Sequence, residues 1–400
     1  MAKARFGWEN RFLTGVISAS AQTSALPATN LQTKGGGASE ALETPLGVTD
    51  LRLTLDAGAV VSWRDFLLAR TNLTEAAKVR WQLHTSPPVS AVALPTDTDA
   101  GASKGSFTTR IGKTIGARGT LTATTYQNSS TSQSYVQANV QLQADVLYRV
   151  RVWARLVSGT TTGGSIISVS YNNGSGTARA SAALSLVTTT GAYFEVTFLS
   201  KAAGTFPAYF FTGNAGTGQV ALDDATLEVV PQAASGQIAG VVRGFGQLAY
   251  SLPTEVTARY LTCDISDPNN SDRFLSIALA YAGPTWELGI NLAPDTARAP
   301  ERRQISRENR AGGIRREPQF YRRGMALSHR SALDDEIWTQ LDALERAAWG
   351  DANILLLPDA DSPQRNREAI FGPMQFQGSF TYPYGTFERV AWSARIDERL

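Results

Sequence analysis

From Asp50 the chain alternates. Leu51, Leu53 and Leu55 are apolar, while Arg52, Thr54 and Asp56 between them are polar. A period of two predicts a strand with one buried face. FLLAR (66–70) and VRWQL (79–83) read as two further strands, with the polar turn TNLTEAA between them. Pro87-Pro88 closes this set. The alternation returns much later, in ARYLTCDIS and FLSIALAYAG, so the natural partners of the early strands lie far along the chain. Between them, from about 107 to 230, the composition shifts to Thr, Ser, Asn and Gln with little charge. SYVQANVQL, LYRVRVWARL, SIISVSY, YFEVTFLS, AYFFTG and QVALDDATLEVV recur there as short strands, which is the pattern of a β-sandwich.

The expected class is therefore mainly β: two β-sandwiches, one inserted in the other, followed by a small α+β end. The boundaries read as 1–100 with 236–290 for the outer sandwich, 105–232 for the insert and 291–400 for the end domain. Residues 90–106 and PQAASGQIAG (231–240) read as linkers. In the end domain SALDDEIWTQLDALERAAWG (331–350) is the one long amphipathic helix. Leu333, Ile337, Leu341, Leu344 and Ala348 form its apolar stripe, Ser331 with Asp334 its cap, and Gly350 its stop.

Composition narrows the function classes. A net charge of +2 gives no bulk attraction to nucleic acid or to a membrane surface, and no apolar run is long enough to span a bilayer. The stretch 298–323 is rich in Arg, but Glu301, Glu308 and Glu317 interrupt it, which suits a protein interface better than phosphate. FLTGVISASA (12–21) follows basic residues as a leader would, yet Thr14, Gly15 and Ser18 dilute it. The single cysteine, Cys263, allows no intrachain disulfide, and two histidines exclude a His-rich metal centre. No nucleophile elbow, zinc-protease helix or phosphate loop is present, and a non-enzymatic role is expected.

DISDPNNSDRF (264–274) crowds carboxylates and amides together. It lacks the glycine and the bidentate glutamate of a calcium hand and reads as a hairpin connection. In YRVRVWAR (148–155) the alternation sets Arg149, Arg151, Trp153 and Arg155 on one face. Trp153 there is either a sugar platform among arginines, suited to an acidic polysaccharide, or a ring packed under a loop or a neighbouring subunit. Tyr126 and Tyr171, beside YQNSS and YNNGSG, are candidates for stacking on a sugar or for the sandwich rim; Gln127, Asn128, Asn172 and Asn173 are possible hydroxyl partners or turn residues.

The two separated halves, LTLDAG…DFLLARTNLTEAAKVRWQL and ARYLTCDISDPNNSDRFLSIALAYAG, resemble the galactose-binding-like, discoidin-type β-sandwich. LQADVLYRVRVWARL, YFEVTF and QVALDDATLEV in the insert are similar to a jelly-roll carbohydrate-binding module. That resemblance implies a structural calcium at Asp223, with Asp224 beside it. The whole arrangement, ending in WSARIDERL, resembles tail-tip or baseplate proteins of long-tailed bacteriophages. It implies a virion tail protein assembled in the host cytoplasm, docked to neighbouring tail or baseplate proteins as a ring-forming homo-oligomer, with the insert meeting a host-surface polysaccharide. A secreted bacterial carbohydrate-binding protein or adhesin, and a purely structural tail protein, are the alternatives.

Overall fold

The structure, a computed structural model, describes all residues except 1–2, 89–91, 118, 131–133, 214–215, 232, 235–237, 240–245, 309–313, 383–388 and 400. The chain is mainly β and divides into two compact units, Met1–Thr85 with Gln232–Leu400, and Ser86–Pro231.

In the first unit, the strands expected at 50–56 and 66–70 are one continuous strand, Asp50–Thr71. Its partner Leu248–Ser266 runs antiparallel to it, from Ser266 opposite Asp50 to Leu248 opposite Leu68, with register shifts midway. The shifts let both strands bend, so that a single sheet supplies both layers of a sandwich. Lys78–His84 pairs on the other side of Leu248–Ser266, and Ser276–Gly283 on the other side of Asp50–Thr71. Val16–Ala19, from the leader-like segment, also pairs with Asp50–Thr71 and buries Ile17. The core is built on Trp63, Phe66 and Trp81; Phe66 stacks on the other two at 6.4 and 5.0 Å. Cys263 is buried among them, and burial pushes its thiol well above the ordinary range.

The acidic stretch after Cys263, expected as a hairpin connection, is instead a crossover: Leu248–Ser266 and Ser276–Gly283, which it joins, lie on opposite sides of Asp50–Thr71, and its side chains lock the two halves of this sandwich. Asp267, fully buried, accepts hydrogen bonds from Thr74 N–H at 2.8 Å and Thr74 Oγ1 at 2.6 Å. The Asn270 amide donates to Asn72 O at 3.1 Å, and Asn72 in turn receives Ser276 N–H and donates to Phe274 O.

Residues 291–400, expected as a separate domain, belong to this same unit. The cause is at the other end of the chain. Arg5–Gly7 pairs with Trp286–Glu287 and with Ile354–Leu357, which plants Phe6 between Trp286 and Trp392, 6.0 Å from each. A further core joins sandwich to end region, with Leu67, Leu279 and Tyr281 against Leu355, Leu357 and Phe371. Arg323 completes the joint: it binds Glu398 at 2.9 and 2.7 Å and Gln247 at 2.9 Å.

The helix of the end region starts at Asp334, three residues later than the expected Ser331 cap, because Ser331 is in the strand Gly324–Leu333. The Glu336 carboxylate, not a serine, takes up the Leu333 N–H. The helix runs on through a wide π turn at Ile337–Leu341 to Trp349, with Ile337, Leu341 and Leu344 buried. It stops at Gly350, as expected, and the left-handed residue lies one further on, at Asp351. None of the described helices is long and apolar enough to cross a membrane.

Replacing Asp267 by Ala should destabilise the first unit by about 2 kcal/mol, because it orphans a buried backbone donor and a hydroxyl. The urea midpoint measures this. Thr74→Ala combined with it should cost much less than the sum, and strict additivity would contradict the lock.

Candidate functional site

The second unit is a sandwich of two sheets. One has the order Ala192–Ser200, Val146–Ser158, Gln219–Val229, Ala123–Asn128, Thr108–Thr114. The other has the order Thr177–Ala183, Ser165–Asn172, Gly204–Thr212, Val136–Leu142, Ser103–Lys104. The segment expected as a linker belongs to it: Val92–Leu94 pairs with Gln219–Val229, and Leu94 is in the core.

The first sheet carries Trp153, its arginines, Tyr126, Asp223 and Asp224, and most of them are occupied within it. Trp153 is only 8% exposed and packs with Ala123 and Ala221. Gly191 closes over it at φ +80°, so near that a Cβ there would lie 2.4 Å from the indole. Of the alternatives for Trp153, the structure shows the ring under a loop and not a platform. The arginines beside it are occupied too. Arg149 binds Glu228 at 2.6 Å and Glu195 at 3.6 Å. Arg151 lies 3.6 Å above the Tyr193 ring, and Arg155 donates to Thr114 Oγ1 at 3.1 Å. With Arg149 in ion pairs and Arg151 and Arg155 lying on a ring and a hydroxyl of the same sheet, this face offers little to an acidic polysaccharide.

The tyrosines are structural as well. Tyr126 is fully buried; its hydroxyl donates to Thr96 O at 3.0 Å and accepts from Thr98 N–H at 3.2 Å, holding the 90–106 segment down. Tyr171 is half-buried and packs 4.8 Å from Phe198. Asn128 is buried and donates to Phe211 O, while Asn172 and Asn173 accept from Gly174 and Ser175 N–H and make the turn.

Asp223 and Asp224 turn to different partners. Asp223 Oδ2 accepts from Thr122 Oγ1 at 2.7 Å and Ala117 N–H at 3.1 Å. Asp224, at φ +48°, accepts from the Tyr193 hydroxyl at 2.5 Å. Calcium takes six to eight oxygens, whereas the groups gathered on Asp223 include an N–H donor. Among the described residues no cluster of three or more His, Cys, Asp or Glu could hold a metal ion. These residues do not fit the implied calcium.

The other sheet presents a different outer face. In Val136–Leu142 the valines, Ala138 and Leu142 are buried, while Gln137, Asn139 and Gln141 point out. Opposite them in register stand Tyr209, Pro207 and Thr205. Ser168 faces Tyr209 from the next strand, and Ser181 and Arg179 face Ser168 and Ser170 from the edge. Tyr209 is half-buried and meets Tyr135 edge-on at 5.2 Å. The Arg179 guanidinium lies 5.9 Å from the Tyr209 ring, and Ser168 and Ser170 on the strand between them are 6% exposed each. Arg179 is the only charged residue in these four strands.

Strand neighbours are about 4.8 Å apart and rows about 6.6 Å apart, so this face has the dimensions of a few sugar rings. Its chemistry also fits a sugar. Amides and hydroxyls can both donate and accept, as sugar hydroxyls do. A tyrosine ring offers an apolar face with a polar tip. The amides hold each other in place: Gln137 Nε2 donates to Asn139 Oδ1 at 3.0 Å and Gln141 Nε2 to Thr205 Oγ1 at 2.6 Å. The sequence reading missed this face because it looked for aromatics among charges. The signal was the run VQANVQL, whose polar positions are all amides.

No family model matches the chain, and no curated protein matches it. Solved structures similar to it include several carbohydrate-binding modules. One is the xylan-binding domain of Paenibacillus barcinonensis, a family 22 module, 11% identical over 38% of this chain and 99% of that one, with a TM-score of 0.28. Another is the Clostridium thermocellum xylanase fragment that joins such a module to its catalytic module. It is 18% identical and has a TM-score of 0.28, and the match spans 36% of this chain but only 28% of that one. The N-terminal cellulose-binding domain of a Cellulomonas fimi glucanase is 18% identical over 33% of this chain and 97% of that one, at 0.21. The functional reading below rests on the side chains of the amide-lined face and not on these scores.

Trp153→Ala should destabilise the second unit by about 3 kcal/mol, through a cavity left between Gly191 and the sheet. A thermal melt followed by circular dichroism checks it, and an unchanged melt would contradict the packed position.

Proposed function

We propose that the protein is a non-enzymatic, glycan-binding subunit of a multicopy assembly, a structural tail-tip or baseplate protein of a long-tailed phage. The outer face of Val136–Leu142, Gly204–Thr212, Ser165–Asn172 and Thr177–Ala183 takes a polysaccharide chain of the host surface. The observation that carries the glycan reading is the composition of this face: three amides, Tyr209, a row of hydroxyls and one arginine. The same neutrality favours an uncharged polysaccharide over the acidic one suggested by the arginines around Trp153. Tyr209 stacks against a sugar ring, Gln137, Asn139 and Gln141 bond its hydroxyls, and Arg179 swings off Tyr209 to close on the bound chain.

The tail assignment is supported by the resemblance of the interrupted sandwich, its insert and the terminal segment to such proteins. It also explains why a shallow, exposed face is enough: several copies on one particle multiply weak single-site binding. A secreted bacterial carbohydrate-binding protein would use the same face. Gold-labelled antibody against the insert should mark the tail tip of purified particles; protein found only in culture medium would sink the phage reading and leave the glycan reading standing.

The glycan reading is tested by affinity electrophoresis of the full chain through gels containing neutral or acidic polysaccharides. Retardation by a neutral polysaccharide is expected, little changed by salt. Tyr209→Ala should weaken it about fivefold, the loss of roughly 1 kcal/mol of ring contact. Gln137→Ala with Asn139→Ala should abolish it. Retardation only by acidic polysaccharides, or full binding by the Tyr209 variant, would overturn the assignment.

A further inference from the structure

Two surfaces of the first unit remain without a role. The first is an arm. Among the described residues, Glu301–Glu308 and Ile314–Arg322 pair only with each other, as a two-stranded sheet. Residues 301–323 contain eight arginines against three glutamates. Arg302, Arg303, Arg307 and Arg316 are exposed, and so are Ile305 and Tyr321, at 38% and 50%. Two pairs are made inside the arm, Arg307 with Glu317 at 3.9 Å and Arg322 with Glu301 at 3.6 Å. The Arg302 guanidinium sits 5.5 Å above the Tyr321 ring. A lone hairpin with solvent on both faces is marginally stable in water, so this arm gains most from a surface to lie on.

The second surface is the outward face of the helix Asp334–Trp349. Trp338 is 68% exposed and Trp349 is 94% exposed. Positions 338, 342, 345 and 349 are spaced four, three and four apart, which places Trp338, Asp342, Glu345 and Trp349 on one side. Asp335 is exposed one turn before them. Arg346 is the only basic residue in this helix and is paired with Asp342 at 2.6 Å. Tryptophans this exposed mark an interaction site, and tryptophan is enriched among the residues that carry interface energy.

The two surfaces complement each other. One is cationic, with planar guanidinium groups and apolar Ile305 and Tyr321; the other is anionic with two indoles. Guanidinium groups both pair with carboxylates and stack on indole faces.

We propose that the arginine arm of one copy docks on the acidic, tryptophan-bearing helix face of the next copy. Different patches meet, so the contact is head to tail and closes copies into a ring when the rotation allows. The inference rests on the multicopy part of the proposed function and names the contact that would build it. It needs no glycan.

Sedimentation velocity of the full chain, over graded protein concentration at low and high salt, tests it. The wild type should assemble, and salt should weaken the assembly. An arm-reversed variant (Arg302→Glu with Arg303→Glu) and a helix-reversed variant (Asp335→Arg with Glu345→Arg) should each stay monomeric. An equimolar mixture of the two should assemble again, since each then offers the other a complementary surface. Trp349→Ala, at a site too exposed to affect folding, should weaken assembly about tenfold. A wild type that stays monomeric, or reversed variants that assemble as it does, would overturn the proposal. A monomeric wild type whose arm retards labelled duplex DNA would also overturn it and give the arm to nucleic acid. A monomer that binds glycan would defeat the ring alone, whereas a ring that binds none would defeat the glycan reading alone.

Discussion

The pairing of Asp50–Thr71 with Leu248–Ser266 is the contact on which the first unit depends. It joins segments separated by the whole insert, and every other strand of the outer sandwich is added to one of these two or to their neighbours. The cost of closing so long a loop rises only with the logarithm of its length. A second unit that folds on its own core shortens the effective loop further. The pairing is then held by apolar burial of Trp63, Phe66 and Trp81 and by the buried carboxylate of Asp267 on Thr74. The terminal region forms sheets of its own that pack on this one through Leu67, Leu279 and Tyr281, while Arg5–Gly7, paired with Ile354–Leu357, and Arg323, bound to Glu398 and Gln247, tie both ends of the chain to it.

Within the second unit, two sheets built on the same alternation expose opposite chemistries. On one, charged groups are matched: Arg149 with Glu228 and Glu195, Arg151 on Tyr193, and Asp224 under the Tyr193 hydroxyl. Those contacts occupy its charged groups. On the other, the outward groups are amides and hydroxyls, which bond one another at 3.0 and 2.6 Å and can both donate and accept. The difference lies in which side chains occupy the outward positions, while the buried valines and alanines are alike.

Much of this was legible in the sequence. The alternation in Leu51–Leu55 and its return near Cys263 exposed the interrupted sandwich, and Pro268 with Asn269 and Asn270 marked a turn, although the strands on either side of it are separated by Asp50–Thr71 and form no hairpin. What misled was local. The helix start was placed at Ser331 because serine caps well, yet Ser331 is held in a strand by tertiary pairing that no local rule sees. The alternation from Asp50 and the run FLLAR read as two strands, although one strand, Asp50–Thr71, runs through both with register shifts against its partner. Trp153 looked exposed because its neighbours in the alternation are arginines; the loop carrying Gly191, 38 residues on, covers it. The terminal region looked separate because one of its core residues, Phe6, lies at the far end of the chain. The amide face was present as VQANVQL, and only the pairing of that strand with Tyr209 and of Tyr209 with Ser168 shows that the scattered polar residues converge.

The central claim is that a glycan lies on the amide face and not on the face over Trp153. Hydrogen–deuterium exchange of the full chain, with and without a saturating oligosaccharide cut from a retarding polysaccharide, addresses it directly. The account predicts slowed exchange in Val136–Leu142, Ser165–Asn172 and Gly204–Thr212, with Val146–Ser158 and Ala192–Ser200 unchanged. Protection confined to Val146–Ser158 and Ala192–Ser200 would contradict it and return the site to the arginine face.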